Sequence, residues 1–143
     1  MAQIKLTSLI QKIEQKLTDV RNQFLVNMAE DIVQSTISPK AAVDTGAYIT
    51  SHSIRTTRGA GRSRTSHGKP RGQDPEAKAA EALSQLMEDI ASLPQNQEQV
   101  YLTNNAPHAN NVEYSHGYFI YEGVRNRAGI HLQDAINAVK ARQ

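Results

Sequence analysis

The chain contains no cysteine and no tryptophan. Without thiols neither a disulfide framework nor a thiolate metal site can be built, and a reducing compartment is the natural setting. Aromatic residues make up 5% of the sequence, and none falls between Arg55 and Arg71, so that basic stretch offers no stacking platform for unpaired bases. Long apolar runs are missing as well. The opening "MAQIKLTSLIQKIEQKL" carries a charge every few residues, which excludes a signal peptide or membrane span there; a soluble protein made in the cytoplasm is expected. Leu, Ile, Val and Phe together number 30 of 143 residues, barely above the level at which chains stop folding. The length suits one domain over residues 1–143, but its core would be thin. Part of the apolar surface is therefore expected to be buried against copies of the chain or other partners.

Charge is distributed unevenly. Residues 1–54 carry five basic and five acidic groups, residues 55–71 six basic and none acidic, and residues 72–143 five basic and nine acidic. Arg55, Arg58, Arg62, Arg64, Lys69 and Arg71 thus concentrate the positive charge in one Gly-rich segment, expected as a flexible loop at about 55–75. Such a loop could neutralise phosphates without reading sequence, or dock as an arm on an acidic neighbouring subunit. The stretch "RGAGRSR" lacks the Gly-Lys-Ser/Thr ending of a phosphate loop, and no G-x-S-x-G nucleophile elbow occurs.

Apolar residues at Leu6, Leu9, Ile10, Ile13, Leu17, Val20, Phe24, Met28 and Ile32 predict a long amphipathic helix over about Leu6–Ile37, with Ser8 and Gln11 as a capping pair and Ser38-Pro39 as its stop. A stripe of that length suits packing on several elements or on another subunit. After a turn at Asp44-Thr45-Gly46, "AYITSHSIRTT" alternates as a strand with Tyr48, Thr50, His52 and Ile54 on one side; a helical turn just after Gly46 is the alternative. Pro75 opens a second helix with Ala79, Leu83, Leu86, Met87 and Ile90 inward, closed by Pro94. A short strand, "EQVYLTNNA", follows, then an ambiguous aromatic segment. A final helix, "GIHLQDAINAVKA", is expected to turn Ile130, Leu132, Ile136 and Val139 inward. The order predicts an α+β fold with a long N-terminal helix, a small antiparallel β-sheet, a middle helix and a C-terminal helix.

"AAVDTGAYITS" resembles the catalytic loop of a dimeric aspartic protease. That chemistry needs an almost wholly β chain with an apolar-apolar-Gly strand end bracing each loop; the predicted helices leave no room for it. Asp44, Thr45 and Gly46 are therefore read as a structural turn, the carboxylate accepting backbone N–H groups and the glycine supplying positive φ. His108, Glu113 and His116 match no metal-ligand spacing, so no metal, cofactor or catalytic residue is expected.

Two segments together resemble a known family. "VDTGAYITSHSI" (Val43–Ile54), followed about fifty residues later by "VYLTNNAPHANNVEYSHG" (Val100–Gly117), is similar to the neck, or tail-completion, proteins of tailed bacteriophages, a group related to the lambdoid Z-type minor tail protein. Val43, Asp44, Thr45 and Gly46 match the first motif. Thr103, Asn104, Asn105, Pro107, Ala109, Glu113 and Tyr114 match the second. His108 replaces the usual Tyr, Ser115-His116-Gly117 replaces an immediate Gly, and "GYFIYEGV" stands where a Gln-Ala-Pro-type segment often follows.

The resemblance implies a non-enzymatic virion protein, made in the host cytoplasm, that forms a ring of about six or twelve copies at the head–tail junction. It would contact portal or adaptor and tail proteins, with double-stranded DNA passing through the channel and no membrane involved. Asn104, Asn105, Pro107, His108, Glu113, Tyr114, Tyr118 and Tyr121 become the interface candidates, and the basic loop a DNA-facing or subunit-docking arm. The rival readings are a small basic DNA-binding protein and the dimeric aspartic protease.

Overall fold

In the computed structural model, residues 3, 5–39 and 43–142 are described; Ala41 and Ala42, at the head of the Asp-Thr-Gly motif, lie outside them. The fold is α+β. Helix α1 (Thr7–Ile37) is followed by a 3₁₀ turn (Ile49–Ser51), strand β1 (His52–Arg55), helix α2 (Pro75–Ala91), strand β2 (Tyr101–Asn104), a π-helical turn (Asn111–Ser115), and helices α3 (Ile120–Asn126) and α4 (Ala128–Ala141). At 1.5 Å per residue α1 is about 46 Å long. No helix among the described residues is long and apolar enough to cross a membrane.

The two strands pair antiparallel with His52 opposite Asn104 and Arg55 opposite Tyr101. Beneath them the C-terminal half of α1 (Leu25, Ala29, Ile32, Val33) meets α2 (Ala82, Leu86, Ile90) and the fully buried Tyr48, Ile49 and Ile54. Asp74 caps α2 by accepting the Glu76 N–H, with Pro75 in the first turn, where a missing N–H costs nothing.

Three local expectations are corrected. The residue capping α1 is Leu6, with no side-chain cap bond; Ser8 already sits in the first turn, where its hydroxyl cannot act as the cap. The strand after Gly46 starts only at His52. Before it the chain coils, because the hydroxyls of Thr50 and Ser51 donate back to the carbonyls of Gly46 and Ala47, offering the backbone a local alternative to a ladder. In α4 the buried residues are Ala135 and Val139, while Ile130 and Leu132 are 63% and 43% exposed. Arg127 and His131 set that rotation by reaching across to Asp31 of α1.

Candidate functional site

The first three turns of α1 carry Leu6, Leu9, Ile10, Ile13 and Leu17, all between 51% and 65% exposed. The rest of the fold reaches the helix from about Glu14, where Glu14, Leu17 and Thr18 border a hollow with Asn96, Gln97 and Glu98. Arg21 donates to the carbonyls of Pro94 and Gln97, and α4 ends with Arg142 donating to Gln23. Fully burying a Leu or Ile yields about 1.5–3 kcal/mol, so five half-exposed ones leave about 5 kcal/mol unrealised on this overhang.

A second apolar surface lies at the other end of α1. Phe119 is 45% exposed and Tyr114 66%, their rings meeting edge to face at 6.3 Å. Phe119 and the half-buried Tyr118 border a hollow with Ser35, Ser38 and Pro39, the C-terminal end of α1. Phe119 adopts φ 47°, a left-handed backbone rare for a bulky residue.

The interface candidates divide between inside and outside. Glu113 is buried and caps α3: its carboxylate oxygens accept the Tyr121 and Glu122 N–H groups at 2.9 and 3.1 Å. Tyr121 Oη lies 2.8 Å from His52 Nδ1. Asn104 Nδ2 donates to the Tyr48 carbonyl and sits 3.1 Å from the same ring nitrogen. Within the subunit these three act as internal supports: each polar group already has a partner in the fold. Asn105 ties down the loop by donating to the Gly59 carbonyl. Pro107, His108, Tyr114 and Tyr118 keep exposed surface.

His52 is the hub of that internal network and is 1% exposed. Thr36 gives its proton to the Ile32 carbonyl at 2.6 Å, so its oxygen accepts from His52 Nε2 at 2.9 Å; this fixes the Nε2–H tautomer and leaves Nδ1 to accept from Tyr121 and Asn104. Burial lowers the imidazole pKa to about 3, so the ring is neutral at physiological pH. Burial likewise raises the Tyr121 phenol.

The basic loop is not a free arm. Asp89, 8% exposed on α2, binds Arg62 through both oxygens at 2.8 and 2.9 Å, Arg55 at 2.7 Å and the Ile54 N–H at 3.0 Å. The backbone N–H groups of Arg62 and Arg64 donate to the hydroxyls of Ser53 and Ser51, so loop residues lie along β1 like a third strand. Gly61, at φ 125°, makes that approach possible: a Cβ there would come within 2.5 Å of the Ser53 Cβ. Arg64 lies 3.7 Å from Glu81. Among the described residues, Arg58 and Lys69 form no ion pair.

Asp44 anchors the far end of the same loop. Its carboxylate accepts the Gly72 N–H at 2.8 Å and Arg71 Nε at 2.7 Å, its carbonyl accepts the Gln73 N–H, and Gly46 follows at φ 78°. The Gly72 N–H and then Arg71 hold the Asp44 pKa below its ordinary value. Around Asp44 the structure gathers Lys69, Arg71, His108, His116 and Tyr118 into an open cleft of about 960 Å³, with His116 and Tyr118 stacked at 5.8 Å. The turn, the loop's end and the second motif thus meet in one place.

Two clusters escaped the sequence reading. Asp89 sits between apolar Leu86 and Ile90 on the inward face of α2, and an acid in that position is the signal that could have found it. Asp31 pairs with Arg127 at 2.9 Å and His131 at 2.6 Å, about a hundred residues away, and nothing local marks it. No group of three or more His, Asp or Glu among the described residues is placed to hold a metal ion. No protein-family model, curated protein or solved structure matches the chain.

Proposed function

We propose that this chain is a structural subunit of the head–tail junction of a tailed phage. It would form a ring in the neck that joins the portal or adaptor to the tail, without catalysis or cofactor. The observation that carries the reading is the pair of apolar surfaces at opposite ends of α1, the overhang and the Tyr114–Phe119 edge. A connector needs surfaces on two sides for unlike neighbours, and exposed aromatic anchors suit such contacts. The Val43–Gly46 and Thr103–Tyr114 motifs support the same family reading, although Asn104 and Glu113 work inside the subunit.

Arg58 and Lys69 would face DNA in the channel as a mobile positive surface that attracts the duplex without reading bases. The ion pairs of Arg55, Arg62, Arg64 and Arg71 weaken the rival reading of a dedicated DNA-binding protein. The test is electron microscopy of the purified chain and of a Tyr114→Ser, Phe119→Ser variant. Rings in the parent that are lost in an equally stable variant would sustain the proposal. Rings that persist in the variant would remove the aromatic edge from the contact, and a parent that forms no rings would count against the reading itself.

A further inference from the structure

We infer that the cleft around Asp44 is a binding site for a phosphate group. Residues 65–73 carry Lys69 and Arg71 and no acid, and residues 65–72 are exposed throughout. Among the described residues, every hydrogen bond from this stretch to the rest of the protein ends on Asp44. The Gly72 N–H and Arg71 Nε donate to its carboxylate, and the Gln73 N–H donates to its carbonyl. Asp44 therefore fixes where this wall of the cleft stands. It also holds Arg71 by Nε alone, so the two terminal nitrogens of a side chain that is 84% exposed remain available as a fork. Two parallel N–H groups in that geometry match two oxygens of a phosphate.

A second wall comes from the segment between β2 and α3. His108 packs its ring against Tyr48 with centroids 6.2 Å apart, and His116 stacks on Tyr118 at 5.8 Å. These contacts engage ring faces and leave the ring nitrogens unused. Among the described residues, neither imidazole, nor Lys69 Nζ, nor Tyr118 Oη has a hydrogen-bond partner, and all four side chains border the same hollow. The one acid bordering it is Asp44, against Lys69 and Arg71, which leaves one positive charge in excess before either imidazole gains a proton. That excess selects an anion. A carboxylate offers two oxygens in one plane, which a single guanidinium satisfies; a phosphate offers oxygens in several directions and can be met from both walls at once. The ligand is thus a phosphate group, free or within a nucleic-acid backbone. The site shares Lys69 with the DNA-facing surface proposed above, but it rests on the cleft and not on the neck reading.

The test is phosphorus NMR of inorganic phosphate titrated with the full-length protein, a signal that reads free chains and assemblies alike. The protein should broaden the phosphate signal saturably, in a background of chloride held at constant ionic strength. Arg71→Ala should weaken binding at least about tenfold with melting unchanged. His116→Phe, which keeps the stack on Tyr118 but removes the ring nitrogens, should weaken it about three- to tenfold. Arg58→Ala, which removes a loop charge outside the cleft, should leave it as it was. No broadening, binding that survives Arg71→Ala at full strength, or an equal loss in Arg58→Ala would overturn the site; full binding by His116→Phe would overturn the two-walled geometry that selects phosphate. A short DNA duplex then separates the sources. Displacement of phosphate from the parent by duplex assigns the site to a nucleic-acid backbone, and phosphate binding that duplex leaves untouched assigns it to a free phosphate group; both sustain the site. Arg71→Ala should still assemble as the parent does, so a failure of the neck reading would show in micrographs and not in the phosphate titration.

Discussion

Replacing Asp89 by Asn tests whether the basic loop is part of the fold. The carboxylate serves two guanidinium groups and the Ile54 N–H from an almost dry position, and the Arg62 side chain is itself only 16% exposed. Removing the charge leaves Arg62 buried beside a neutral amide that cannot satisfy all these donors. Breaking a buried pair from one side costs about 3–5 kcal/mol, against about 5–15 kcal/mol for the whole stability of a domain. For a chain of this size the melting temperature should fall by about 10–15 °C. The assay is urea unfolding at pH 7.5 together with brief trypsin digestion of the native protein. In the parent, Arg62 should resist cleavage; in Asp89→Asn, cutting at Arg62 and Arg64 should appear before global unfolding. A double Asp89→Leu, Arg62→Met chain should lose less stability than the single variant, because the buried Arg62 charge is gone and only Arg55, whose side chain is 34% exposed, loses its partner. A shift below about 1 kcal/mol for Asp89→Asn, or rapid cleavage at Arg62 in the parent, would refute the reasoning.

Acid should weaken the fold in two windows. The pKa of His52 is lower folded (about 3) than unfolded (about 6.5), so its contribution is complete above pH 6.5 and falls by about 1.4 kcal/mol per unit below it; His108, also lowered by burial, acts in the same direction. For Asp31, burial raises the pKa, but hydrogen bonds from Arg127, His131 and Ser35 outweigh it and bring the value to about 2. Its contribution, about 2 kcal/mol, is present above pH 3.8 and disappears as pH falls towards 2. Urea midpoints that stay level from pH 7 to 5 would contradict the His52 assignment. Gly61→Ala should destabilise by about 2 kcal/mol or more, since it adds left-handed strain to a clash with Ser53; a neutral result in thermal melts would mean the loop is not seated on β1. For duplex DNA, Arg58→Ala with Lys69→Ala should lower affinity similarly for all sequences and flatten its salt dependence, measured by fluorescence anisotropy. Unchanged binding would take those side chains out of any DNA contact.

The elements legible in the sequence were those set by local chemistry. Periodicity and the Ser38-Pro39 stop marked α1, Pro75 marked the start of α2, and the alternation at Val100–Thr103 overlapped β2. Long-range partners decided the rest. The rotation of α4 follows from Asp31 meeting Arg127 and His131 across α1, so the apolar pattern of α4 alone pointed Ile130 and Leu132 the wrong way. The Gly-rich composition of residues 58–75 suggested a loose arm, but Ser51, Ser53 and Asp89 hold it through hydrogen bonds that composition does not reveal. At the candidate site, the motif residues Asp44 and Gly46 were legible as a turn. Asn104 and Glu113 were found by their motif, although their work is to brace His52 and cap α3.

The central claim is that this chain functions as an assembled subunit, and the most direct test is its mass in solution by light scattering, with micrographs of the largest species. Species larger than a pair are expected at high concentration, resolved as rings of about six or twelve copies around an open channel. A mass that never exceeds two copies, together with tight and steeply salt-dependent duplex binding by the free chain, would contradict it.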